Sequence, residues 1–175
     1  KEWGTLGEGY EKDGVRIQGN RTWLLETVEE WEDVAARARR DNEDIHMGHV
    51  FCFCVIKNAD LPEGDERRVF KYRVVFCGDR VITQHWTDAV FMDQGCSPAS
   101  MESGRIADAI GCAVGNAVEQ ADACQAYVQA DLKGKPTWIA LPPEAWPKDH
   151  PAWKGKTWKR PVVRLVKALY GHPDA

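Results

Sequence analysis

The chain has 175 residues, of which 43% are hydrophobic and 29% are charged, and its formal net charge is −4. This is an ordinary globular composition, and the length allows one domain or part of one. No apolar run approaches the roughly 18 residues of a membrane span, and no charged-then-apolar leader opens the chain, so we expect an intracellular protein that is neither membrane-bound nor secreted.

The charge is distributed unevenly along the chain. Residues 148–175 carry seven Lys/Arg and two Asp/Glu, a balance of +5, whereas residues 1–147 carry 16 and 25, a balance of −9. The basic end also contains Trp153, Trp158 and Tyr170. Cations that contact phosphates and rings that stack on bases would suit a nucleic-acid strand. A solvated basic loop is the plainer interpretation, and charge alone favours it.

The cysteines do not form a recognisable framework, because none belongs to a Cys-x-x-Cys pair. We expect free, mostly buried thiols in a reducing compartment. A zinc site made of His46, His49, Cys52 and Cys54 is an alternative, but both cysteines would share one face of a strand, whereas paired zinc ligands usually flank a turn. The six cysteines are Cys52, Cys54, Cys77, Cys96, Cys112 and Cys124.

The first predicted helix follows a loose lead-in. Residues 1–21 are rich in Gly and charged residues without a period, which is typical of irregular structure. A helix is predicted from Thr27 to Arg40, because Thr27 and Glu30 form a capping-box pattern. Apolar residues recur at helical spacing on one face of this segment. These residues are Leu24, Val28, Trp31, Ala35 and Ala38.

A β-hairpin is predicted next. Val50–Lys57 and Val69–Cys77 are rich in aromatic and β-branched residues, and the segment between them contains Pro62 and Gly64. Because side chains alternate between the two faces of a strand, Lys71 and Arg73 are expected on the same face.

A second helix and a buried strand are predicted after the hairpin. Ser97 would cap the helix, with Pro98 at its first position, and Gly115-Asn116 would end it. Residues 117–123 then form a short run of small residues that predicts a buried strand, with Asp122 near its end. The expected buried face of the helix consists of Ile106, Ile110, Ala113 and Ala117.

The last part of the chain predicts a turn of helix, two strands and a loop. Tyr127 lies in a segment that can form one helical turn, and Lys133–Pro136 has the composition of a turn. Strands are predicted at Thr137–Leu141, where Pro142 and Pro143 end the strand, and at Val162–Leu165. Residues 144–160 form a loop rich in Trp and Lys.

Several of these segments resemble, in the same order, the reverse transcriptases of copia-type LTR retrotransposons. Gln120, Asp122, Ala126, Tyr127 and Val128 match the first catalytic motif, Gln-x-Asp-Val-x-x-Ala-Phe-Leu, and the run Trp138–Pro143 resembles the Ile-Tyr-Met-x-x-Pro-Pro segment that follows it. The predicted hairpin is similar to strands written Lys-Trp-Val-Phe-Lys-Ile-Lys and Tyr-Lys-Ala-Arg-Leu-Val-Ala-Lys-Gly. The run Lys167–Gly171 matches Lys-Ala-Leu-Tyr-Gly, after which His172-Pro173-Asp174 replaces Leu-Lys-Gln.

The resemblance spans roughly residues 45–172 and implies an α+β fold. It implies a fingers β-hairpin and a truncated reverse-transcriptase-like palm with packed helices, whose sheet begins at residues 118–122 and takes in Thr137–Leu141. Residues 1–44 would be a lead-in segment with one helix (27–40), and residues 45–175 would be the fingers and partial palm of a larger Pol polyprotein.

The implied function is that of an RNA-directed DNA polymerase, and the implied site follows from the matching positions. Asp122 would be catalytic and would hold Mg²⁺. Lys71 and Arg73, with Lys57 as a third candidate, would contact the triphosphate. Tyr127 would lie under the sugar and exclude a 2′-hydroxyl. For the lysines and the arginine the plainer alternative is solvated charge on an exposed hairpin, and for Tyr127 it is a core aromatic.

The implied partners are an RNA or DNA template-primer, deoxynucleoside triphosphates and the remaining Pol regions: thumb, ribonuclease H and integrase. The aromatic-x-Asp-Asp turn that completes the family's site does not occur in this sequence. We therefore expect this chain by itself not to polymerise. The alternative is a degenerate or domesticated remnant that binds nucleic acid or a protein without chemistry.

Overall fold

The computed structural model describes residues 3, 6, 9–12, 15–91, 99–122 and 125–175. Residues 9–12 and 15–18 are described by their backbone only. The described elements, in chain order, are β1 (Gly9–Lys12), β2 (Val15–Gln18), β3 (Trp23–Glu30), α1 (Trp31–Asp41), β4 (His46–Lys57), β5 (Val69–Phe76), β6 (Ile82–Thr83), α2 (Met101–Gly111), α3 (Ala126–Gln129), β7 (Thr137–Ala140), a 3₁₀ turn (Pro143–Ala145) and β8 (Pro161–Leu165).

The chain divides into two units. The larger unit contains residues 1–91 and 127–175, and the smaller unit contains residues 92–126. The larger unit holds a six-stranded sheet in the order β3-β8-β7-β4-β5, with β6 paired to β4. All pairs in this sheet are antiparallel except β4 with β7, which is parallel. The fold is therefore α+β, as expected.

The central strands bury residues on both faces, since alternate side chains enter two different clusters. On one face Trp138 of β7 and Val162 of β8 pack with α1, which contributes Trp31, Val34, Ala35 and Ala38. On the other face Ile139 and Val163, the next residues along the same strands, pack in a larger cluster. Other members of that cluster include Trp23, Val50, Phe76, Trp153, Leu165 and Leu169.

The predicted start of the first helix is wrong. The helix begins at Trp31, and the eight residues before it form β3, which pairs with β8. Thr27 does not cap a helix: its Oγ1 donates to the Leu24 carbonyl and accepts from the Arg164 amide. The carboxylate of Glu30 accepts from the amides of Lys159 and Arg160. Long-range pairing thus outweighs a local capping pattern.

Three further expectations are corrected. Part of the supposed lead-in forms the hairpin β1–β2. In the smaller unit, α2 ends at Gly111 and none of its residues is buried, so the expected buried face at Ile106 and Ile110 is exposed. Residues 118–122 lie in no strand and are exposed. Strands need partners to satisfy their backbone groups, and no strand is described in this unit.

Ser97 and Pro98 lie outside the described residues, and the observed N-cap of α2 is Ser100.

The other predicted strands are confirmed. The hairpin consists of β4 and β5, although β4 begins four residues earlier than expected. β7 and β8 occupy the predicted segments to within one residue at each end, and Tyr127 lies in the helical turn α3. Among the described residues, no helix combines the length and the apolar character needed to cross a membrane.

Candidate functional site

The hairpin β4–β5 brings three candidate cations to one face. Arg73 lies directly opposite Phe53, Lys71 opposite Val55 and Lys57 opposite Val69. Residues directly opposite each other in an antiparallel pair project to the same face, and every second residue of a strand shares it. Lys57, Lys71 and Arg73 therefore share one face, which we call the basic face. The common face expected for Lys71 and Arg73 is thus confirmed, and Lys57 shares it.

The charge of the basic face is not neutralised by described residues. Lys57, Lys71 and Arg73 are all exposed, and no ion pair joins them to another residue in the described part of the chain. Other cations differ, since Lys167 pairs with Asp131 at 2.6 Å. The basic face also carries the rings of Phe51 and Phe53, whose centroids are 6.1 Å apart. It can thus offer an anion three cations without displacing an internal partner.

The base of the hairpin is fixed in the core while its outer half is exposed. Val50, Val74 and Phe76 are buried. Gly48 allows the close approach that this requires, because a Cβ atom at this position would lie 2.3 Å from Cζ of Phe76. Further out, Phe70 is 63% exposed and Tyr72 is 52% exposed. The hairpin therefore holds the basic face on a rigid base outside the core.

Tyr127 is held at the surface rather than in the core. Its side chain is 48% exposed and meets Tyr170 edge to face, with ring centroids 5.6 Å apart. The residues after α3 bond to the segment that follows β8: Ala168 N–H donates to the Ala130 carbonyl, and Leu132 N–H donates to the Val166 carbonyl, both at 2.9 Å. The segment that carries Tyr127 is thus joined to the Lys167–Gly171 segment.

Asp122 and the other candidate residues belong to different units. Asp122 belongs to the smaller unit, and Lys57, Lys71, Arg73 and Tyr127 belong to the larger one. Within the described part of the chain, no group of three or more His, Cys, Asp and Glu residues could hold a metal ion. Two Mg²⁺ ions need more than one exposed carboxylate. The described residues therefore do not by themselves fit a two-magnesium centre.

The described cysteines form no disulfide, as predicted, but they are less buried than predicted. Cys52, Cys54 and Cys112 are exposed and Cys77 is half-buried, so the described thiols are not mostly buried. Cys96 and Cys124 lie outside the described residues.

The two histidines of the alternative zinc site differ in burial, since His46 is buried and His49 is exposed. They form no metal-binding group with Cys52 and Cys54. His85 is exposed and has no assigned role.

The tryptophans of the basic end are used for packing. Trp153 is buried, and its Nε1 donates to the Leu25 carbonyl at 2.9 Å. Trp158 packs against Trp153, with Lys156 5.3 Å from its ring centroid. These rings pack the loop 144–160 against the core of the larger unit, so the buried ring of Trp153 is not available to stack on bases.

Sequence reasoning missed a buried polar cluster around His172. Its Nε2 lies 3.3 Å from Oγ1 of Thr137, and its Nδ1 accepts from the Asp174 amide. Burial lowers the pKa of His172 to about 4, opposed by Asp174 and reinforced by His46. The signal in the sequence is that His172-Pro173-Asp174 stands where the copia-type motif has Leu-Lys-Gln.

Comparisons of the chain with known protein families, with curated proteins and with solved structures found no match.

Proposed function

We propose that this chain is the fingers and the first part of the palm of an RNA-directed DNA polymerase of the copia retrotransposon type. The observation that supports the proposal is the assembly of the matching segments in the larger unit. β4 pairs with β5 and with β7, and β7 pairs with β8. The residues after β8 bond to residues 130 and 132, which follow Tyr127. Segments that match one family in order along the chain are therefore also neighbours in space.

In this proposal the basic face binds the triphosphate of the incoming deoxynucleotide. Lys71, Arg73 and Lys57 supply positive charge that is not neutralised by described residues, and charge-assisted contacts to phosphate oxygens are strong. Tyr127, exposed and supported by Tyr170, discriminates against ribose. Asp122 supplies one magnesium ligand, and the other carboxylates come from the aromatic-x-Asp-Asp turn of the parent polymerase.

The first prediction concerns triphosphate binding by the chain as it stands. Replacing both cations in Lys71→Ala/Arg73→Ala should weaken binding of a fluorescent deoxynucleoside triphosphate at least tenfold, measured by anisotropy in the presence of Mg²⁺. Each lost charge-assisted hydrogen bond costs about 1.5–3 kcal/mol, so tenfold is a conservative threshold.

The matched control is Lys148→Ala/Lys154→Ala, which removes the same charge from exposed positions of the loop 144–160. This control should change affinity less than about twofold, because ions in solution screen charges that are far from the ligand. If both double variants lost the same affinity, the chain would attract triphosphate only through its net charge. The basic face would then not be the triphosphate site.

A second candidate function is a nucleic-acid- or protein-binding module without chemistry. The observation that favours it is the isolation of Asp122, which has no carboxylate partners in a metal-binding group of described residues. Such a module would retain a single-stranded oligonucleotide and show no preference for triphosphate over monophosphate. The polymerase fragment should prefer the triphosphate, and the same titration with both nucleotides separates the two candidates.

A further inference from the structure

The outer edge of β5 presents backbone groups that have no partner among the described residues. Cys77 N–H donates to the His49 carbonyl directly opposite, at 2.9 Å. Because hydrogen-bonded and non-hydrogen-bonded pairs alternate in an antiparallel ladder, the odd-numbered residues of β5 bond to β4, and the even-numbered ones point their N–H and C=O groups away from it. Phe76 confirms this pattern, since its N–H donates outward to the Tyr170 carbonyl.

The outward groups of Phe70, Tyr72 and Val74 have no described backbone partner. β5 is the last strand of the sheet on this side. A row of unpaired donors and acceptors at a sheet edge is a template for one more strand. Here the template spans three outward-facing residues, which is enough for a short extended segment.

The side chains beside this edge have two different chemistries. Lys71 and Arg73 project to the basic face, and both are exposed. Phe70 and Tyr72 project to the opposite face and are also exposed. A strand added to this edge therefore meets positive charge on one face and aromatic surface on the other.

The same charges disfavour a second copy of this chain as the occupant. In an antiparallel pair of β5 strands centred on Tyr72, Lys71 of each copy would lie opposite Arg73 of the other. Like charges placed directly opposite each other destabilise a strand pair, and this arrangement would contain two such pairs. An acidic strand reverses the sign of both contacts.

We propose that the edge of β5 from Phe70 to Val74 binds an extended peptide segment of a partner protein in which acidic and apolar residues alternate. The added strand would form its hydrogen-bonded pairs at Phe70, Tyr72 and Val74. Its acidic residues would lie opposite Lys71 and Arg73 in non-hydrogen-bonded pairs, where Cα atoms approach to about 4.5 Å. Peptide binding at this edge is distinct from the proposed polymerase function, and it can be measured in the absence of nucleotide.

The probe is a capped nine-residue peptide that alternates Val and Glu and carries a fluorophore, titrated with the full chain under reducing conditions. Wild-type protein should bind it saturably and should show amide exchange protection at Phe70, Tyr72 and Val74. The variant Tyr72→Pro removes one outward N–H that β4 does not use, and it should weaken binding at least tenfold. Its control, Tyr72→Ile, keeps the N–H and an apolar side chain and should remain within threefold of wild type.

Charge selection is tested separately. Lys71→Glu/Arg73→Glu should bind the Glu peptide at least tenfold more weakly than wild type. It should bind a peptide with Lys in place of Glu more tightly than wild type does. Lys148→Glu/Lys154→Glu makes the same change of charge at exposed positions outside the basic face, and it should remain within threefold of wild type. Circular dichroism verifies that each variant is folded. Backbone pairing is tested with wild-type protein and a probe peptide that is N-methylated at its hydrogen-bonding positions.

Three results would overturn the proposal: no binding by wild-type protein, undiminished binding of the N-methylated peptide, or equal affinity of wild type for the Glu and Lys peptides. An oligothymidylate that displaces the Glu peptide and binds Tyr72→Pro as tightly as wild type would assign the edge to a nucleic acid, because a nucleic-acid strand uses the side chains and not the outward backbone groups.

Discussion

At the scale of single residues, His172 makes the stability of the larger unit depend on pH. The ring is buried, and because its Nδ1 accepts from the Asp174 amide, the neutral ring donates from Nε2 to Thr137 Oγ1. A second proton would have to be placed at Nδ1, facing that amide. Burial, together with the nearby His46, therefore lowers the pKa of His172 to about 4, although Asp174 opposes the shift.

Because the folded state resists protonation, the unfolded state binds more protons between pH 6.5 and 4. The free energy of unfolding should thus be constant above pH 6.5 and fall as the pH drops towards 4, by about 3 kcal/mol for a shift from the ordinary pKa near 6.5 to about 4. Below pH 4 the contribution of His172 is fully lost and the curve should flatten. Urea unfolding at pH values from 4 to 8 measures this slope.

The variant His172→Asn keeps an acceptor for the Asp174 amide and does not titrate. It should be less stable than wild type at pH 8, but its stability should decline less on acidification. Some slope should remain, because burial also lowers the pKa of His46. The control His85→Asn, at an exposed position, should keep the wild-type slope. A wild-type slope in His172→Asn would show that other groups cause the pH dependence.

Only some features of the candidate site residues could be predicted from the sequence. The common face of Lys71 and Arg73 follows from strand periodicity, which is local, so the prediction was confirmed. The exposure of Tyr127 depends on its contact with Tyr170, and the burial of His172 depends on Thr137, 35 residues away. Such long-range contacts are not encoded in any short pattern.

At the scale of elements, the ring of Phe76 in β5 packs so closely against β4 that residue 48 has to be a glycine. A Cβ atom on residue 48 would lie 2.3 and 2.5 Å from two ring atoms of Phe76. That ring is buried and packs against His172, with ring centroids 4.6 Å apart. Gly48→Ala should therefore lower the free energy of unfolding by about 1–3 kcal/mol, the usual cost of overpacking a core, as measured by chemical denaturation.

Two comparisons make this prediction specific. Gly104→Ala places the same methyl group in open space within α2, and it should be neutral or favour the helix by up to about 1 kcal/mol. Gly48→Ala/Phe76→Leu has a smaller side chain at the point of contact, so its cost should be less than the sum of the two single changes. An additive double variant would mean that Phe76 is not the residue in conflict.

Elements with strong local signals were predicted well, and elements that depend on distant partners were not. The hairpin, β7 and β8 follow from β-branched and aromatic runs bounded by turns. The start of α1 was misplaced because β3 pairs with β8, more than 130 residues later. In β8 the amide of Arg164 donates to Thr27 Oγ1, and next to β8 the amide of Lys159 donates to the Glu30 carboxylate. Both residues of the apparent capping box therefore have partners in the tertiary structure.

At the scale of the whole molecule, the sheet of the larger unit leaves no place beside β7 for the expected palm strand. Residues 118–122 were predicted to begin a sheet with β7. Instead, β7 lies between β4 and β8 and has no free edge. The α+β class was predictable from the order of the predicted elements, whereas no local pattern shows that β4 and β8 are the partners on the two sides of β7.

The two units should also differ in stability, and two helices of equal length test this. α1 and α2 each contain eleven residues. α1 buries Trp31, Val34, Ala35 and Ala38, whereas no residue of α2 is buried, and Ile106 and Ile110 are each 60% exposed. An isolated helix of this length is marginal in water, because packing of a buried face supplies most helical stability.

Hydrogen exchange should therefore separate the helices. Amides of α2 should exchange through local opening, with protection below about 100-fold and little dependence on denaturant, while amides of α1 should exchange only with global unfolding, like those of β7. Since α1 and α2 have the same length, a difference in helix length cannot account for a large difference in protection. If α2 were protected as strongly as α1, its apolar residues would have to be covered in solution, for example by self-association, and repeating the measurement at several protein concentrations would show whether this is so.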